Sequence, residues 1–324
     1  MSWRGRLAAL AVLFWLPAAA AQELPHFMAT DVVPGSILVD GMARQFYLFR
    51  TGSSLDKPPP LVIVLHGGSR GGDALRVRRA ARMEPLAREL GFVIAYPNGV
   101  ANAWNDGRDT DYIRSRGSLV VDDIGFIDAL ISRLGHAGVI DRQRVLVLGI
   151  SNGGFMAFRL ACELSEKITA VAAIAAAMPV GLPELCRPNR PIPVLMMNGT
   201  EDRLVEWNGG AIAGGYVDRG RTISVPETAA FWARGNGCGQ RPAINELADR
   251  DPADGTRVRQ HVWSGCTRKA QVALYEIRGG GHVWSNLDIS GQPPAVQRLL
   301  GRSTRDIDGA RVVWKFFERA MLLP

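Results

Sequence analysis

The pentapeptide Gly149-Ile150-Ser151-Asn152-Gly153 constrains this chain more than any other stretch. It follows the apolar run Val145-Leu146-Val147-Leu148 and precedes a helical pattern over Phe155 to Leu164. A chain that leaves a buried strand and enters a helix within so few residues must turn sharply. Glycine on either side keeps side chains out of that turn. The junction lifts the Ser151 hydroxyl above the strand end, and the helix that starts there leaves its first amides open to an anion.

The segments around this junction agree with it. Leu61-Val62-Ile63-Val64-Leu65, set off by Pro58-Pro59-Pro60, is a continuous apolar run that suits a strand buried on both faces. Phe92 to Tyr96, Arg144 to Leu148, Ala170 to Ala175, Val194 to Met197 and Val272 to Ile277 read as further strands. Ser36 to Asp40 and Gln45 to Arg50 alternate about Asp40-Gly41, an antiparallel hairpin signal. Val120, Ile124, Ile127, Ile131 and Leu134 recur at helical spacing up to Gly135. Ala310, Val313, Trp314, Phe317 and Met321 do the same behind Asp308, an N-cap candidate. Strands alternating with helices predict an α/β fold, a mostly parallel sheet with helices on both faces. The Gly-rich residues 206–224 read as a long loop beside the site.

Arg4 and Arg6, the uncharged apolar run Leu7 to Leu16 and the small residues Ala19-Ala20-Ala21 form a signal-peptide pattern over residues 1–21. The run is shorter than the roughly 20 residues that span a bilayer. The expectation is a secreted protein, extracellular or periplasmic, with no membrane attachment after cleavage. Residues 22–324 suit a single α/β domain. The net charge of +7 is dispersed, without basic blocks or interleaved aromatics, which argues against nucleic-acid binding. Four cysteines allow three pairings. Nearest-neighbour pairing, Cys162 with Cys186 and Cys238 with Cys266, closes two short loops and is the expected one. Neither a CxxC nor a Cys/His spacing supports a metal site.

A serine hydroxyl becomes a useful nucleophile only beside a base. Where serine follows a strand in this way, an acid and then a histidine follow later in the chain. Of five histidines only His261 and His282 lie beyond Ser151. His282 stands in Gly279-Gly280-Gly281-His282-Val283-Trp284 directly after a strand pattern, whereas His261 lies in a charged segment and reads as a surface residue. His282 is the base candidate. The acid candidate is Asp202, in the turn Gly199-Thr200-Glu201-Asp202 after the strand Pro193 to Asn198, with Glu201 its local competitor. In Leu65-His66-Gly67-Gly68 the small residues let the backbone approach a carbonyl oxygen. The N–H groups of Gly68 and Asn152 are the candidate oxyanion donors, and His66 is expected to hold that loop by a hydrogen bond.

With Tyr96-Pro97-Asn98-Gly99, Trp104-Asn105-Asp106 and Val121-Asp122-Asp123 added, these motifs resemble the polyhydroxybutyrate depolymerase-like esterases. Those are related to the feruloyl and acetylxylan esterases of carbohydrate esterase family one. The resemblance runs from about Gly41 to the C-terminal helix. It implies the α/β-hydrolase fold, a triad of Ser151, Asp202 and His282, and a substrate cleft lined by Trp104 and Trp284; Trp207 is a further aromatic expected near that cleft. The chain departs from many relatives in carrying Val283-Trp284-Ser285 after the histidine and Gly67-Gly68-Ser69 in the oxyanion loop.

The expected chemistry is cofactor-free, two-step acyl transfer on an ester: a hydroxyalkanoate oligomer, a feruloyl or acetyl polysaccharide ester, or a generic short ester. Because no linker or second core follows Ala310 to Met321, soluble esters are expected to outrank crystalline polymer film. Two alternatives stay open, a serine peptidase of the same fold and a catalytically silent binding protein on this scaffold.

Overall fold

The computed structural model describes residues 32–323 apart from 51–56, 69–72, 116, 118–119 and 214–216. The expected signal segment and Ser69 lie outside the described residues.

The chain opens with the antiparallel hairpin of β1 (Val32–Val39) and β2 (Met42–Phe49), turning at Asp40-Gly41. The first central strand, β3 (Leu61–Leu65), is followed by α1 (Ala74–Ala81), α2 (Glu84–Leu90) and β4 (Val93–Pro97). Then come α3 (Asp111–Ser115), α4 (Asp123–His136), β5 (Val145–Ile150), α5 (Asn152–Glu163) and β6 (Ala170–Ile174). Next are α6 (Leu182–Leu185), β7 (Val194–Gly199), the short β8 (Gly210–Ala211) and β9 (Arg221–Thr222), and α7 (Val225–Gly235). The chain closes with β10 (Ala243–Glu246), β11 (Arg257–Trp263), β12 (Val272–Arg278), α8 (Pro294–Leu300) and α9 (Gly309–Met321).

Ten strands form one sheet in the order β1-β2-β4-β3-β5-β6-β7-β12-β11-β10. From β4 to β12 the neighbours run parallel; the two edges, β1-β2 and β11-β10, are antiparallel. This order, with the sharp serine turn after β5, is the α/β-hydrolase fold. Every residue of β3, β4, β6 and β7 is buried, because helices cover both faces. On one face Phe126 and Leu130 of α4, Phe158 of α5 and Trp232 of α7 pack together; on the other, Val77 of α1, Leu86 of α2 and Trp314 of α9. The Trp314 ring stacks on Phe92 with centroids 4.0 Å apart. Hydrogen-bonded caps start these helices: Asp122 accepts from the Gly125 amide at 2.8 Å and Asp308 from the Arg311 amide at 3.1 Å.

The expected strands and the three expected helices are present, with three corrections. Val120 is 90% exposed and precedes α4, since the cap at Asp122 begins the helix after it. Residues 206–224 are not loop throughout: β8 and β9 pair there, and Ser224 caps α7 in a reciprocal box with Glu227. His261 is no free surface residue but sits in β11 with Nε2 2.7 Å from Glu276 of the neighbouring β12. Both cysteine pairs join as expected, Cys162–Cys186 tying the end of α5 to the segment after α6, and Cys238–Cys266 tying the end of α7 to the β11–β12 connection. No helix among the described residues is long and apolar enough to cross a membrane.

Candidate active site

Ser151 follows the last residue of β5 and immediately precedes α5, with φ 55° and ψ −120°. A non-glycine residue at positive φ is strained, so the surroundings must enforce it. They do so through close backbone packing. A Cβ on Gly149 would lie 2.0 Å from the Gly153 carbonyl oxygen, and one on Gly153 would lie 2.4 Å from that of Leu65. Only glycine at both positions lets α5 start this close to the ends of β3 and β5. The Ser151 amide is held by the Ile174 carbonyl of β6 at 2.9 Å.

The other two candidate residues reach the same place from strands further along the sheet. Because β7 and β12 are parallel neighbours, the loops after them emerge side by side. Backbone bonds sew these loops together: the Thr200 amide donates to Ile277 O at 2.9 Å and the Glu201 amide to Gly280 O at 2.9 Å. His282 Nδ1 then lies 2.7 Å from Asp202 Oδ2. The other carboxylate oxygen, Oδ1, accepts the amides of Leu204 at 2.8 Å and Val205 at 2.9 Å. Asp202 is 4% exposed, whereas the side chain of Glu201 is 62% exposed and lies 3.7 Å from Arg302. Of the two acid candidates, Asp202 is the one that meets His282.

A cavity of about 260 Å³ is lined by both Ser151 and His282, together with Gly67, Gly68 and Trp284. Its wall is mostly apolar, with Ile150, Leu204, Val205 and Leu287 prominent. The β3 loop meets the serine turn closely. A Cβ on Gly67 would be 3.4 Å from Ser151 Cβ, and one on Gly68 3.1 Å from Asn152 Cβ. The two candidate oxyanion residues therefore adjoin each other beside Ser151. His66 fixes this loop: its Nε2 accepts the Gly99 amide at 2.9 Å, so Nδ1 carries the proton and donates to Gly67 O at 3.0 Å. Burial holds the His66 pKa below its ordinary value, keeping the ring neutral.

Trp104 corrects the expectation of a cleft-lining residue. It is fully buried, is not among the cavity's lining residues, and donates from Nε1 to His66 O at 2.9 Å. It is a packing and hydrogen-bonding partner of the oxyanion loop. Trp207 packs partly buried against the core. Trp284, 3% exposed, does line the cavity.

The Trp-Asn-Asp segment has a second task that sequence reasoning missed. Asn152 Oδ1 accepts the Trp104 amide at 2.8 Å, and Asn152 Nδ2 donates to Asp106, itself paired with Arg108 at 2.6 Å. Arg108 in turn donates to the carbonyl of Arg219. Asp123, buried against Arg44, accepts the Asn105 amide at 2.7 Å. The side chain of the residue after Ser151 is thereby held by the segment 104–106, which Arg108 and Asp123 brace in turn. The motifs Trp104-Asn105-Asp106 and Val121-Asp122-Asp123 carried that signal, but nothing local reveals that buried carboxylates pair with Arg44 and Arg108.

No family model matches the chain. Among curated proteins it is similar to "Putative esterase NocK" of Nocardia uniformis subsp. tsuyamanensis, 29% identical over 85% of this chain and 79% of that protein. It is 28% identical over 72% of its length to feruloyl esterase B of Piromyces equi, of which it spans 41%. Feruloyl esterase D of Neurospora crassa is 27% identical, over 83% of this chain and 73% of that enzyme.

Proposed function

We propose that this chain, an α/β-hydrolase whose curated relatives are esterases, is a secreted serine hydrolase of carboxylic esters. The observation that carries this reading is the convergence on one cavity of a strained, elbow-borne Ser151 and of His282, itself held by a buried Asp202. With Nδ1–H donated to Asp202, the imidazole presents its Nε2 lone pair as general base. Nε2 takes the Ser151 proton as Oγ attacks the ester carbonyl. The amides of Gly68 and Asn152 stabilise the oxyanion. The alcohol leaves with the proton held by His282, and a water repeats the sequence to release the acid and restore Ser151. No cofactor enters these steps. Asp202 orients the ring and stabilises its cationic form without itself taking the proton.

Export is supported by the apolar leader over residues 1–21 and by two disulfides, which persist in oxidising compartments. The cavity of about 260 Å³ suits a short chain or one ring, and the relatives named above support feruloyl-type esters as substrates beside hydroxybutyrate oligomers. A panel of nitrophenyl acetate, methyl ferulate, acetylated xylan and hydroxybutyrate trimer tests this reading. Turnover of at least one, abolished in Ser151→Ala, is expected. Absence of turnover on all four by folded protein contradicts it.

A further inference from the structure

The wall of the catalytic cavity is apolar except for a cationic side that the acyl-transfer steps do not use. Among the described residues Asp73, Arg76 and Arg219 line it, besides His66 and His282. Asp73 Oδ1 caps α1 by accepting the Arg76 amide at 2.7 Å, and its one negative charge is outnumbered by the two guanidinium groups. The guanidinium of Arg76 projects from the helix face that also gives the cavity Val77 and Ala80, and it forms no ion pair among the described residues. Arg219 is held in place. Its guanidinium carbon lies 4.4 Å from the centroid of the Tyr112 ring, and its carbonyl accepts from Arg108. The chain of bonds from Arg219 through Arg108 and Asp106 ends on Asn152, so Arg219 is registered to the residue beside the nucleophile.

Two guanidinium groups on an otherwise greasy cavity beside a reacting serine fit a substrate with an apolar middle and an anionic end. Guanidinium matches a carboxylate in shape as well as charge. We propose, resting on the ester-hydrolase reading above, that Arg76 and Arg219 select esters bearing a free carboxylate a few carbons from the scissile carbonyl. Hydroxy-acid oligomers with an unblocked carboxyl end and half-esters of short dicarboxylic acids are the class. The arginines act on substrate binding, so the preference lies in KM more than in kcat.

The test compares hydroxybutyrate trimer with the same trimer capped as its methyl ester, matched in length and apolar area. For wild-type protein the free acid is expected to show a kcat/KM about tenfold higher, a modest factor because Arg76 is exposed and Arg219 only half-buried. Arg76→Gln and Arg219→Gln each lower that ratio, Arg76→Lys retains most of it, and about 1 M NaCl erodes it. Arg76 sits on an exposed helix face, so its replacement does not threaten the fold. Calorimetric binding of the two trimers to Ser151→Ala supplies a readout free of catalysis. A wild-type ratio of one or less, or a ratio untouched in both glutamine variants, overturns the proposal while leaving the hydrolase reading intact. Arginine-dependent binding of the acid by a protein that hydrolyses neither trimer upholds the proposal and sinks the hydrolase reading alone.

Discussion

His282 Nδ1 lies 2.7 Å from Asp202 Oδ2, and the second oxygen of that carboxylate is taken up by the amides of Leu204 and Val205. The acid therefore cannot rotate away without breaking two further bonds, and the imidazole is fixed in one tautomer. Asp202→Asn keeps the shape but offers an N–H where an acceptor is needed. It is expected to lower kcat by about 10⁴-fold. Glu201→Gln, on the exposed side of the same turn, is expected to stay within a few-fold of wild type. Steady-state kinetics on a nitrophenyl ester check the ranking, and the reverse order would move the acid to Glu201.

The buried pair of Arg44 and Asp123 carries the segment that holds Asn152. Both side chains are almost fully enclosed, at 3% and 0% exposure. Removing one partner strands the other charge in the core, so Arg44→Met and Asp123→Leu should each cost about 3–5 kcal/mol. The double variant should lose at least about 1 kcal/mol less than the sum of the singles. Urea denaturation of the four proteins measures this. Strict additivity would show that the pair does not act as a unit.

His66 predicts a pH dependence of stability. Burial keeps its native pKa below the ordinary 6.5, so as pH falls through that value the unfolded chain takes up a proton that the native ring resists. Its contribution is thus complete above 6.5 and is lost as pH drops from 6.5 toward the native value. His66→Gln removes the titration. The stability advantage of wild type over this variant should be flat on the alkaline side and shrink on acidification, read from urea midpoints across pH. A pH-independent difference would contradict the account.

The central strands and the strand–serine–helix junction at Ser151 are legible because each leaves a local mark. Short, β-branched apolar runs bounded by turn residues suit strands covered on both faces, and Gly-x-Ser-x-Gly between strand and helix patterns suits a sharp turn. The β11–β10 edge is not legible. All of β10 is exposed and β11 is half-buried, so neither shows a fully buried run or a clean alternation. The family resemblance implies a cleft position for Trp104, yet its indole N–H is satisfied by His66 O in the core. Exposure of a large aromatic depends on which neighbours cover it, and that is decided by residues far along the chain. The same holds for Arg76 and Arg219, drawn from α1 and from the segment before β9, whose approach to one cavity no spacing announces.

The account stands on Ser151 as the attacking group, and a fluorophosphonate tests that most directly. Wild-type protein should take up one adduct per chain, found by mass spectrometry on the peptide carrying Ser151, with ester hydrolysis lost in step. Ser151→Ala should neither label nor hydrolyse while unfolding at the wild-type midpoint. Full activity after stoichiometric labelling, an adduct on another residue, or wild-type turnover by folded Ser151→Ala would contradict it.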